Sequence, residues 1–171
     1  LIFFNSDSFK AEILKFFPEI KDISIRKEIP RLLDIKITER ELAGIWCFKN
    51  DGSAEFTTSC KYFDKDGNLW GQAAKTSGFL ILTVDDMGAV NSVDKNLLDN
   101  IILISEQLKN LDIFINQFSV PDNFIGDFSA TTSNDYKLLF NLDSDISSQL
   151  EVLSIFLAEK KIDSGFKPQY I

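Results

Sequence analysis

Apolar positions recur along this chain at two spacings, and the switches between them mark its elements. Residues 1–4, all but the first two aromatic and all apolar, read as a short buried strand. Ser6-Asp7-Ser8 offers an N-cap to a helix with Phe9, Ile13, Phe16 and Phe17 on one face, ended by Pro18. Ile23–Ile29 alternates as a strand up to Pro30, and Leu33–Thr38 alternates cleanly, predicting a strand with one wet face. Leu42–Lys49 is apolar on both parities, the pattern of a central strand covered on both sides. Asn50-Asp51-Gly52 and Asp64–Asn68 supply residues that accept positive φ in tight turns. Between them Phe56, Thr58, Cys60 and Tyr62 alternate with polar neighbours, and Phe79–Val84 follows as a buried strand. The spacing predicts an antiparallel meander of four or five strands.

After Asp85-Asp86-Met87-Gly88 the period lengthens. Asp94 caps a helix whose stripe is Leu97, Leu98, Ile101, Ile104, Ser105 and Leu108. Asp112–Phe118 and Tyr136–Leu142 return to strand. Asp145 caps a last helix with Ile146, Leu150, Leu153 and Leu157 in line, and 163–171 reads as loop. Strands in runs with interspersed helices predict an α+β fold, a mostly antiparallel sheet with about three helices packed on it. No linker or repeat divides the chain, so residues 1–171 read as a single domain, long enough to bury roughly two thirds of its unfolded surface.

The register expected from a turn at Asn50–Ser53 sets position 47 opposite 56 and position 60 opposite 43. Cys47 and Cys60 then lie on the order of 13 Å apart, too far to bridge, and read as buried free thiols of a reducing compartment. No apolar run reaches the ~18 residues that span a bilayer, and nothing resembles a signal peptide, so the expected location is cytoplasmic. The chain opens at Leu1 without a methionine, which leaves room for a preceding segment.

Charge sharpens the picture. Residues 1–41 balance eight acids with eight bases, so the whole net charge of −8 lies in 42–171. Residues 76–136 hold nine carboxylates (Asp85, Asp86, Asp94, Asp99, Glu106, Asp112, Asp122, Asp127, Asp135) against Lys95 and Lys109. Such a region repels nucleic acid and anionic membrane and suits a basic partner. The basic cluster Arg26-Lys27 with Arg31 sits in a neutral segment and does not supply the uncompensated cations that nucleic acid needs.

The chain contains no histidine, which removes the usual hydrolase triads and the commonest neutral-pH base. Two cysteines without C-x-x-C spacing do not make a zinc site, and no metal or cofactor is expected. Asp64-Lys65-Asp66-Gly67-Asn68 departs from a calcium loop, since Gly falls at position 4 and Lys75 at position 12, and reads as a hairpin turn. Asp85 and Asp86 are adjacent, so on a strand they point to opposite faces and do not form a catalytic pair. None of the eight glycines forms a phosphate-binding motif. The expectation is a protein that is not an enzyme.

The segment 112–136 combines four Asp with Phe118, Phe124 and Phe128 and carries no Lys or Arg. A connection this long in a compact domain points to function. Aromatic anchors ringed by carboxylates are what docking a basic protein requires. The candidate partner-binding residues are therefore Asp85, Asp86, Asp112, Phe118, Asp122, Phe124, Asp127, Phe128 and Asp135.

Two resemblances follow. Leu42-Ala43-Gly44-Ile45-Trp46 with Asp51-Gly52, Tyr62 and Gly67 resembles the opening motif of lipocalin-like barrels over about 30 residues. It implies a ligand cavity lined by Trp46, Phe48, Phe56 and Tyr62. In size, charge and Asp/Phe-rich segment, the whole chain resembles the small acidic immunity proteins of bacterial toxin systems, such as contact-dependent growth inhibition. That resemblance implies a cytoplasmic binder that blocks the active site of a cognate basic toxin nuclease.

Overall fold

The computed structural model describes residues 5–28, 32–49, 58–76, 78–88, 91–160 and 169–171. The expected strand at 1–4 and the turn at 50–53 lie outside these residues. The chain divides into two compact units, Leu1–Leu42 and Ala43–Ile171.

The first unit is helix α1 (Ser6–Phe16) with an antiparallel pair, β1 (Ile20–Glu28) and β2 (Leu32–Glu39). The N-cap of α1 is Asn5, one residue earlier than the Ser6–Ser8 signal. Its side-chain oxygen accepts from the amides of Asp7 and Ser8. No residue of α1 is buried, and Phe16 and Phe17 stand exposed although they continue the apolar stripe. β2 is likewise wet on nearly every residue, not on one face alone. Lys10 donates to Asp22 at 2.5 Å and so holds that carboxyl below its ordinary pKa.

The second unit is a seven-stranded sheet with two helices. Its strands are β3 (Gly44–Lys49), β4 (Thr58–Phe63), β5 (Leu69–Ala73), β6 (Leu82–Asp86), β7 (Ile115–Val120), β8 (Asp127–Thr132) and β9 (Lys137–Asn141), in the order β5-β4-β3-β6-β7-β8-β9. The pairs β3/β6 and β6/β7 are parallel and the rest antiparallel. The fold is α+β, but the sheet is mixed and not mostly antiparallel. The meander stops after β5 because the next segment does not turn back onto β5. It crosses to the free edge of β3, where the strand begins at Leu82; Phe79 and Leu80, expected inside it, are exposed. β6 then leads through helix α2 (Lys95–Asn110) into β7, a βαβ unit. Helix α3 (Ile146–Lys160) follows β9.

Both helices pack on one face. Their expected stripes are the buried ones, Leu97, Leu98, Ile101, Ile104 and Leu108 in α2 and Ile146, Leu150 and Leu153 in α3. They meet Trp46, Phe48, Phe63, Val84, Phe118, Phe128, Leu138 and Phe140 from the sheet. Phe118, Phe128 and Phe140 stack side by side across β7, β8 and β9, with centroids 6.4 and 5.7 Å apart. The opposite face holds a smaller cluster of Ile45, Cys47, Cys60 and Ala73, flanked by Tyr62 and Ile81. Residue 45 is therefore covered from one side and residue 46 from the other, as the unbroken apolar run implied.

Two expectations fail here. Cys47 and Cys60 are directly opposed, with Cα atoms 4.0 Å apart, and form a disulfide. The register sets Lys49 opposite Thr58, four residues from the register of a tight turn at Asn50–Ser53. The free-thiol reading, and the reducing compartment inferred from it, lose their basis. The barrel implied by the lipocalin-like resemblance is not seen either, since among the described residues the sheet runs from β5 to β9 without closing. Trp46 and Phe48 lie under the helices while Tyr62 belongs to the other face, so they line no common cavity; Phe56 is outside the described residues.

Gly44 fixes how closely β3 approaches its neighbours. A Cβ there would lie 2.3 Å from the Leu82 carbonyl oxygen and 2.7 Å from the Phe63 ring. Gly44→Ala should lower the unfolding free energy by about 1–3 kcal/mol through overpacking. A urea titration read by tryptophan fluorescence measures the change, and an unaltered midpoint would contradict this packing.

Candidate functional site

Parallel strands deliver their following loops to the same end of the sheet, the usual place for a site in such folds. Here β6 and β7 finish at Asp86 and Val120, while the antiparallel β8 starts at Asp127 and β9 stops at Asn141 beside it. The loops of this end contribute Asp122 and Phe124 after β7 and Asp143 and Asp145 after β9. A cleft of about 360 Å³ opens there, lined by Asp86, Ser92, Asp94, Val120, Asp122 and Phe124.

Each carboxylate has a definite local role. Asp86 is buried; it accepts from the Trp46 indole Nε1 at 3.2 Å and from the Gly88 amide at 3.1 Å. Asp94 caps α2 through the Leu97 amide at 2.8 Å. Asp122 is exposed and receives Lys49 Nζ at 2.8 Å. Asp127 accepts from the Asn141 side chain at 2.5 Å, and Asp145 accepts from the Ser148 amide and hydroxyl at 2.7 and 2.8 Å. Those Ser148 bonds hold the Asp145 carboxyl below its ordinary pKa.

The nine residues singled out from the sequence thus separate. Asp86, Asp122, Phe124 and Asp127 gather at this end. Asp112 and Asp135 lie at the opposite end, before β7 and between β8 and β9, both exposed and both at positive φ. Asp85 faces away from the helices, where Lys75 Nζ and Gln117 Nε2 reach its Oδ2 at 2.5 and 2.7 Å. Phe118 and Phe128, expected as surface anchors, are instead 0% and 3% exposed and stack side by side in the core. The long loop that suggested function contains β8. Asp127–Thr132 carries its own alternation, with Phe128, Ala130 and Thr132 buried, which the Asp and Gly flanks obscured. Asp94, Asp143 and Asp145 were not singled out, because only the strand order brings the ends of β6 and β9 together.

Asp85 and Asp86 point to opposite faces of β6, so this adjacent pair offers no shared proton chemistry. Among the described residues no group of carboxylates and cysteines is arranged to hold a metal ion, and no helix is long and apolar enough to cross a membrane. No known family model matches the chain, and no curated protein matches it.

Asp86→Leu should strand the Trp46 N–H and lower stability by about 1–3 kcal/mol, read by urea unfolding. Asp145 gives a pH signature. Its folded pKa is depressed, so its stabilising effect is complete above the ordinary value of 3.8 and fades as the pH falls through the lower folded value. Urea midpoints of the parent and Asp145→Ala should differ near neutrality and converge in acid; a constant difference would refute the capping role.

Proposed function

We propose that this is a non-catalytic binding protein that neutralises a basic protein partner, of the type of an immunity protein against a bacterial toxin nuclease. The observation that supports the reading best is the acidic rim at one end of the sheet, formed by Asp94, Asp122, Asp127, Asp143 and Asp145. Carboxylates on a rigid sheet end can stand in for substrate phosphates at a cationic cleft, and they accelerate encounter with it. Phe124, half-buried beside Asp122, is the aromatic contact that the rim retains. Asp112 and Asp135 belong to the far end and would contribute only to the general field.

The reading sets the protein in the cytoplasm, beside the nucleic acid that a nuclease attacks. A disulfide is unusual in that compartment. Burial of Cys47 and Cys60 is what would keep small thiols from it.

The test is calorimetry at low and high salt with the C-terminal domain of the protein encoded immediately upstream. Tight binding that weakens with salt, together with loss of that domain's toxicity on co-expression, is the expected result. The double variant Asp122→Lys, Asp127→Lys should slow association about tenfold or more and flatten its salt dependence. Unchanged kinetics would exclude the rim as the interface.

A further inference from the structure

The hairpin of the first unit carries a strand with an open far edge. β2 pairs with β1 along its whole length, and among the described residues no strand pairs with its other side. α1 packs against β1, and the apolar face of the hairpin is covered unequally. Ile23 on β1 is buried, whereas Ile37 and Ile35, directly across from Ile23 and Ile25, are 52% and 42% exposed. An edge that alternates apolar residues with charges is a template for another strand, and a two-stranded sheet is marginal in water by itself.

The residues of β2 are ordered so that the strand complements a copy of itself. Laid antiparallel with Ile35 on the two-fold axis, the strand sets Asp34 opposite Lys36 of the second copy and Leu33 opposite its Ile37. Symmetry repeats each contact, giving two opposite-charge pairs on one face and a continuous apolar strip on the other. Neighbouring registers do not do this. A slip of one residue sets Ile35 against Lys36 and mixes the two faces. A slip of two puts Lys36 opposite Lys36 in one direction and Asp34 opposite Asp34 in the other. The pairs within the hairpin continue the match. Arg26 lies across from Asp34 and Ser24 from Lys36, so one row of the joined sheet carries a cation, an anion and a cation in turn. The central row on the opposite face is isoleucine throughout, Ile25 and Ile35 from each copy.

We propose that β2 joins β2 of a second copy of this chain, antiparallel about an axis through Ile35, to form a four-stranded sheet and a homodimer. The occupant is the chain itself because the order of charges along the edge matches itself in that register and clashes in the adjacent ones. The contact lies wholly in the first unit, uses none of the carboxylates of the acidic rim and does not depend on the function proposed above.

Sedimentation equilibrium of the full chain, at concentrations up to about 100 µM, should show a monomer–dimer equilibrium. Lys36→Asp sets acid against acid twice, and Asp34→Lys sets base against base twice. Each should weaken self-association about tenfold or more. Mixed in equal amounts, the two variants should associate with each other about as tightly as the parent does with itself, because every acid again meets a base. A variant that had merely lost its fold would not be rescued in this way. Ile35→Cys, at the position that meets its own copy, should cross-link into a covalent dimer on mild oxidation, whereas Thr38→Cys should not. A parent that stays monomeric over the whole range, single variants that dimerise as well as the parent, or a mixture that stays unassociated would overturn the proposal. Cross-linking through Thr38→Cys in place of Ile35→Cys would overturn it too, since the copies would then meet in another register.

Discussion

The close approach of β3 and β6 at Gly44 is the constraint on which the larger unit depends. β6 has parallel neighbours on both sides, so its position fixes where β7 starts and where α2 must cross. A side chain at position 44 would push the Leu82 carbonyl and the Phe63 ring apart. That ring meets Trp46 edge-on at 5.6 Å, and Trp46 in turn holds Asp86 through its indole. Packing at one end of β3 thereby reaches the acidic cleft at the other through a few contacts across β4, β3 and β6.

The two faces of the sheet do different work. The helical face carries nearly all of the large apolar side chains, including the Phe118–Phe128–Phe140 row. The other face is polar from β6 outward, where Asp85, Gln117 and Ser119 share hydrogen bonds and Lys75 closes over them. One carboxylate of the adjacent pair is thus used in a surface network and the other inside the core end. Asp122, by contrast, lies at the exposed rim, where Lys49 pairs with it.

Helices were legible because their signals are local. Asp94 and Asp145 cap where the sequence indicates, and the stripes of α2 and α3 are buried residue for residue, apart from the edge positions Ser105 and Leu157. Strand partners were not legible, because a period of two says which face a residue takes and nothing about its neighbour. The alternation of Cys60 and Tyr62 was readable, yet the pairing of Cys60 with Cys47 depends on how many residues the connection uses. β8 was hidden for a related reason: its polar alternate positions, Asp127, Ser129 and Thr131, look like loop until β7 and β9 flank them. The site inherits both limits. Its acids were visible as composition, but their division between the two ends of the sheet follows from strand order alone.

The Cys47–Cys60 bond also alters the connectivity of the molecule. With a sequence separation of 13, it closes the β3–β4 connection into a covalent ring. A protease that cuts one peptide bond between these residues leaves a single molecule of unchanged mass apart from one added water. Both β3 and β4 stay tethered in register, and the chain parts into two fragments only after a reductant reaches a bond buried in the sheet.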